Sequence, residues 1–170
     1  GQGIAMRTTK GGIRRIVTGH DGNGRAVFRA IDELVPGKIP SGDAAFATIW
    51  STSEVPVDLN DEADGATRDV GLTLNSGSVV RVVDMLPGGE SPMHRTNSID
   101  YGIVLSGEVE LELDDGAIET CGPGDIIVQR GTIHLWRNAS TTQSCRIVFV
   151  LTEAAGPYRH DGKRLEEIKP

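Results

Sequence analysis

Residues 108–113 read Glu-Val-Glu-Leu-Glu-Leu, a strict alternation of charge and hydrocarbon. Alternation with a period of two is the signature of a half-buried strand, with Val109, Leu111 and Leu113 on one face and the glutamates on the other. The run is not isolated. Ser78–Met85 is rich in β-branched residues, and Ile99–Leu105, Ala117–Cys121, Ile126–Gln129, Ile133–Arg137 and Arg146–Leu151 follow at short intervals. Turn residues bound each run, such as Asp114-Asp115-Gly116. Short, evenly spaced strands of this kind predict an all-β sandwich or barrel. The 22 glycines among 170 residues agree, because glycine weakens helix interiors and serves tight turns.

Upstream, Ile13–Thr18 and Arg25–Ala30 read as two short strands around Asp21-Gly22-Asn23-Gly24, a hairpin or an arm for a partner subunit. Ala45–Ser51 reads as a further strand. Glu54–Arg68 is acidic and rich in turns, without the ligand spacing of a calcium loop, and reads as a solvated surface loop. The chain divides into an N-terminal extension (1–69), a barrel (70–152) and a polar tail (153–170) with a short helical turn at Arg164–Ile168. The net charge of −7, with no basic stripe, disfavours nucleic acid and anionic membranes as partners. No apolar run reaches the length of a membrane span. Cys121 and Cys145 lie outside any Cys-x-x-Cys spacing and read as buried free thiols in a reducing cytoplasm.

Two histidines stand within the strand-rich region, in recognisable frames. The first runs Gly88, five residues, His94, then Thr96, Asp100 and Gly107. The second runs Pro123-Gly124-Asp125, then Gln129, Gly131, His134 and Asn138. Together they resemble the two motifs of the cupin superfamily, G-x5-H-x-H-x(3,4)-E-x6-G and G-x5-P-x-G-x2-H-x3-N, over about half of the chain. Thr96 replaces the second histidine, Asp100 the glutamate and Gln129 the proline. The resemblance implies a single jelly-roll barrel with an N-terminal strand extension. It also implies a divalent metal ion (Fe, Zn, Ni or Mn) at His94, Asp100 and His134, which would then be the catalytic residues. Two imidazoles and one carboxylate suit an ion with open coordination positions. The same three residues also serve as a metal-free acid/base set or a hydrogen-bonded polar cluster.

Residues two apart on a strand share a face, so Thr96 accompanies His94 and Trp136 accompanies His134. Thr96, Gln129 and Trp136 are the expected pocket lining. Tyr101 points away from Asp100, Arg95 is expected at the surface, and His20 and His160 are expected exposed. The reading is a small enzyme acting on a small organic, aromatic or acidic molecule, by oxygenation, decarboxylation, isomerisation or lyase chemistry. The alternative is a barrel that binds such a molecule without turning it over. Small cupins usually pair, so a homodimer is expected, with the strands before residue 60 as the candidate contact.

Overall fold

The computed structural model describes residues 11–68 and 76–170. The expected boundary at 69/70 lies outside them. Among the described residues there are thirteen strands: β1 Ile13–His20, β2 Ala26–Leu34, β3 Gly37–Lys38, β4 Ala44–Thr52, β5 Ser78–Met85, β6 Ser98–Ser106, β7 Val109–Glu112, β8 Ile118–Cys121, β9 Ile126–Arg130, β10 Leu135–Arg137, β11 Cys145–Glu153, β12 Arg159–His160 and β13 Lys163–Arg164. All the ladders are antiparallel.

A six-stranded sheet in the order β3-β4-β5-β11-β6-β9 faces a three-stranded sheet in the order β10-β7-β8. The second sheet is extended by the segment before β6, which bridges to β10 and its approach at Glu90–Arg137 and His94–His134. The core lies between the sheets. Val83, Met85, Val104, Cys145 and Ile147 from the large sheet meet Val109, Cys121 and Trp136 from the small one. Each is the inward member of an alternating strand, so periodicity alone assigns it to the interior. This is a jelly-roll barrel. β4 lies within the stretch 1–69 and pairs along the whole of β5, from Ala44–Met85 to Thr52–Ser78.

Two glycines shape the barrel. Gly107 has φ 74°, and a Cβ there would stand 2.4 Å from the Ser144 carbonyl oxygen, so both backbone and space exclude a side chain. At Gly102 a Cβ would meet the Phe149 ring at 3.0 Å, so the missing side chain is what lets that ring lie across β6.

β1 and β2 form a separate hairpin. It is fastened by Arg15, whose guanidinium pairs with Asp32 at 2.7 Å and Asp64 at 2.8 Å and donates to the Ile49 carbonyl at 3.2 Å. The acidic loop is accordingly more than a solvated face. Asp64 holds Arg15, Glu62 pairs with Arg29 and Asp61 with Arg68. The helical turn expected at Arg164–Ile168 does not form. Residues 159–164 make a β12–β13 hairpin, and the Ile168 backbone exchanges two hydrogen bonds with Arg95, which satisfies groups a helix would have needed. Cys121 and Cys145 are buried free thiols, and burial pushes the Cys145 thiol up to about 11.

Candidate functional site

The two motif histidines meet inside the barrel. The backbones of His94 and His134 exchange hydrogen bonds, each 2.9 Å, which sets their side chains on one face of adjacent strands. Their ring centroids are 4.2 Å apart. The Nδ1 of His94 lies 2.8 Å from the Pro92 carbonyl oxygen and that of His134 lies 2.9 Å from the Thr132 carbonyl oxygen. A carbonyl only accepts, so each Nδ1 carries the proton and each Nε2 keeps its lone pair when the ring is neutral. His134 is buried; desolvation, and then the neighbouring His94, lower its pKa to about 4 against a weaker opposing pull from the Thr132 carbonyl. His134 is therefore a neutral imidazole at pH 7.

Trp136 accompanies His134, as strand parity requires, with ring centroids 5.8 Å apart in an edge-on arrangement. Phe149 follows at 5.5 Å from Trp136, so a row of rings runs from the histidine pair into the core. Thr96 is half-buried in the bend that leads into β6. Gln129 is buried, and its Nε2 donates to the Thr132 carbonyl at 3.2 Å and to the Thr132 hydroxyl. Its amide thus supports His134 through a shared acceptor.

Asp100 is buried on the inward face of β6, opposite Gln129 on β9. The Ser98 hydroxyl donates to its Oδ1 at 2.7 Å. Burial raises the Asp100 pKa, opposed by that hydrogen bond and by the charges of His94 and Arg81. Tyr101 points outward, as parity predicts. Arg95 is half-buried, with its Nη1 donating to the Glu166 carbonyl at 3.2 Å, so the C-terminal tail covers a residue expected at the surface. His20 and His160 are exposed.

The donor set was tested against a divalent ion. Two imidazoles stand together, but among the described residues no group of three His, Cys, Asp or Glu side chains is gathered closely enough to hold an ion. Asp100 stays with Ser98. As placed, His94, Asp100 and His134 do not gather as a three-ligand metal centre.

Arg81 was missed by the motif reading. It lies on the inward face of β5 between Val79 and Val83, and its guanidinium stands 5.7 Å from the Phe46 ring centroid. The available signal was parity: Val79, Arg81, Val83 and Met85 share the core face of a strand, and an arginine there departs from the pattern.

A family model described as the cupin domain matches residues 81–151. Phomopsin biosynthesis cluster protein C' of Diaporthe leptostromiformis is 46% identical over 158 residues, covering 89% of this chain and 83% of its own. The cupin-domain-containing oxidoreductase fogC of Aspergillus ruber is 39% identical over 160 residues, covering 91% and 78%. Among solved structures, a cupin-2 domain protein of Rhodospirillum rubrum is 16% identical, with a TM-score of 0.48 over 80% of this chain and 73% of that one. With both motifs in order, two facing antiparallel sheets and relatives aligned along most of its length, the chain belongs to the cupin superfamily.

Proposed function

We propose that this chain is an enzyme that moves protons on a small organic molecule held in the barrel, with His94, His134 and Asp100 as its catalytic groups. The observation that carries this is the imidazole pair: two rings 4.2 Å apart, each with Nδ1 engaged by a backbone carbonyl. That arrangement reserves Nε2 of each ring for a ligand. One imidazole takes a proton from carbon or oxygen, and its partner returns one elsewhere on the same molecule. His94 is the more exposed of the two and is the route to bulk water. Asp100, its pKa raised by burial, donates a hydrogen bond when protonated and balances charge when ionised. The names of the relatives, biosynthesis cluster proteins among them, support a biosynthetic intermediate as substrate. Trp136 and Phe149 favour a flat or aromatic one. Thr96 and Gln129 line or support the pocket. We further propose that the chain works as a homodimer in a reducing cytoplasm, where Cys121 and Cys145 stay thiols.

A metal-dependent oxidoreductase is the second reading. The printed names of several relatives favour it, as does the anchoring of both Nδ1 atoms, which is how ligand imidazoles are commonly oriented.

Solvent deuterium exchange distinguishes these readings. The tag-free protein is incubated in D2O with a panel of enolisable keto acids and aryl ketones, and its metal content is measured in parallel. Deuterium incorporation that disappears in His94→Ala and in His134→Ala, with metal well below one ion per chain, supports proton transfer. Stoichiometric metal that both variants lose overturns it in favour of the metal reading. Ligand binding with no exchange by the wild type leaves the non-catalytic barrel.

A further inference from the structure

Outside the barrel, the C-terminal tail folds back and bounds a cavity of about 240 Å³ against the large sheet. One wall is the outward face of β6 and β9, where Ile99 and Arg130 stand opposite each other in the ladder. Parity puts them there, since their chain neighbours Asp100 and Gln129 are buried on the inward face. The other wall is the tail, with Pro157 and Tyr158. Backbone hydrogen bonds hold that wall in place. The Ala154 N–H donates to the Asn97 carbonyl at 3.0 Å and the Ile168 N–H to the Arg95 carbonyl at 2.9 Å, which pins both ends of the tail to the segment before β6. Between them, the Leu165 N–H donates to the Tyr158 carbonyl at 2.8 Å and folds the tail on itself. The cavity is therefore framed by the fold on both sides.

The lining says which ligand. Among the described residues the only charge on it is that of Arg130, in a chain whose net charge is −7. Other surface arginines are tied to carboxylates, as Arg29 is to Glu62 and Arg164 to Glu166. Arg130 has no such partner among the described residues, so its donors stay open to a ligand. A guanidinium offers a planar fork that matches the two oxygens of a carboxylate. Beside it, Ile99, Pro157 and Tyr158 supply apolar and aromatic surface. A void of about 150 Å³ holds benzene, so this cavity takes one ring with a substituent and little more. We propose that it is a second ligand site, separate from the histidine pair, for a single-ring aromatic carboxylate. Arg130 binds the carboxylate, and Ile99, Pro157 and Tyr158 hold the ring. The occupant meets β6 and β9 from the side opposite Asp100 and Gln129. The site does not rest on the proton-transfer reading.

Benzoate and the neutral benzamide test it, each titrated at low ionic strength into the nitrogen-labelled full chain and followed by amide NMR shifts. Benzoate is expected to move the Gly131, Ala154, Gly156 and Tyr158 signals along one saturating curve. It is expected to bind about fivefold more tightly than benzamide, the scale of one exposed ion pair. Arg130→Gln is expected to remove that preference, and Tyr158→Ala to weaken both probes. Both side chains are exposed, so the variants are expected to fold, and thermal melts check this. His94→Ala and His134→Ala are expected to leave the curve unchanged, which separates this site from the barrel. The proposal is overturned by equal binding of acid and amide to the wild type, or by no saturation at millimolar concentration. Shifts confined to barrel residues such as His134 and Trp136, a curve lost in either histidine variant, or an undiminished preference in folded Arg130→Gln overturns it as well. If Arg130→Gln does not fold, the wild-type preference and the location of its shifts decide the matter.

Discussion

Gln129 and His134 share one acceptor: the carbonyl oxygen of Thr132 receives the Gln129 amide at 3.2 Å and the His134 Nδ1–H at 2.9 Å. Gln129 stands near the end of β9, and Thr132 and His134 lie in the loop that leads from it to β10, so the strand end and the loop together fix the tautomer of the buried imidazole. Gln129 stands opposite Asp100 on the neighbouring strand, which links this turn to the carboxylate side of the pocket.

Removing the amide tests that link. Gln129→Leu leaves the Thr132 carbonyl with the histidine alone and frees the loop to shift. Misplacement of a catalytic group on the ångström scale lowers rate by up to about a hundredfold, so a loss of roughly tenfold in proton exchange is expected. Nitrogen NMR of the His134 ring is expected to show a mixture of tautomers where the wild type shows Nδ1–H alone. A wild-type tautomer pattern together with undiminished exchange would show that Gln129 only fills space.

The burial of His134 makes stability depend on pH. Its folded pKa of about 4 lies below the unfolded value near 6.5, so between those values the unfolded chain binds more protons. Stability is then full above about pH 6.5 and falls as the pH drops toward 4, by up to about 3 kcal/mol from this residue. Asp100 acts in the opposite sense, because a carboxyl with a raised folded pKa gains stability on acidification. Urea unfolding of wild type and His134→Gln between pH 7 and pH 4.5 separates the two. The wild-type curve is expected to lose more stability over that range, and parallel curves would contradict the assignment.

Gly107 carries both a left-handed backbone and a filled space. Gly107→Ala combines a conformational penalty of about 1–2 kcal/mol with displacement of the Ser144 carbonyl. A total loss of about 2–4 kcal/mol is expected on chemical denaturation. The contrast is Gly124→Ala: Gly124 also has positive φ, but nothing lies within 4 Å of its would-be Cβ, so only the conformational penalty applies.

Much of the barrel was legible because its strands alternate. Ser78–Met85 has the same limits in sequence and structure, and the outward direction of Tyr101 followed from the inward one of Asp100. The pairing of β5 with β11 was not legible, since residues Arg146 and Asp84 meet through tertiary geometry and not through any local pattern. The tail misled because Arg164–Ile168 has helical composition, whereas the partner that decided its conformation, Arg95, lies far away in the chain. Arg81 was overlooked for another reason: the motif frame draws attention to histidines, and the strand before it looked like core. Its charge on the core face was the readable signal.

The proposed homodimer would use two apolar surfaces that are uncovered among the described residues. On the hairpin, Phe28 is 70% exposed and Ile31 55%, with Ile16 paired to Ile31 on the same face. On the outer face of the large sheet, Ile126 is 67% exposed, beside Val128 and Tyr101. Two-fold symmetry lets one copy's hairpin and sheet cover a second copy's, and patches of this kind mark interaction sites. Sedimentation is expected to give a species of twice the 18.1 kDa chain mass, and Phe28→Asp combined with Ile31→Asp to shift it toward the monomer without lowering the melting temperature of the barrel. A wild type that sediments at 18.1 kDa at high micromolar concentration would refute the dimer. If Ile126→Asp alone dissociates it while the hairpin variant does not, the interface is the sheet and the hairpin packs only on its own chain.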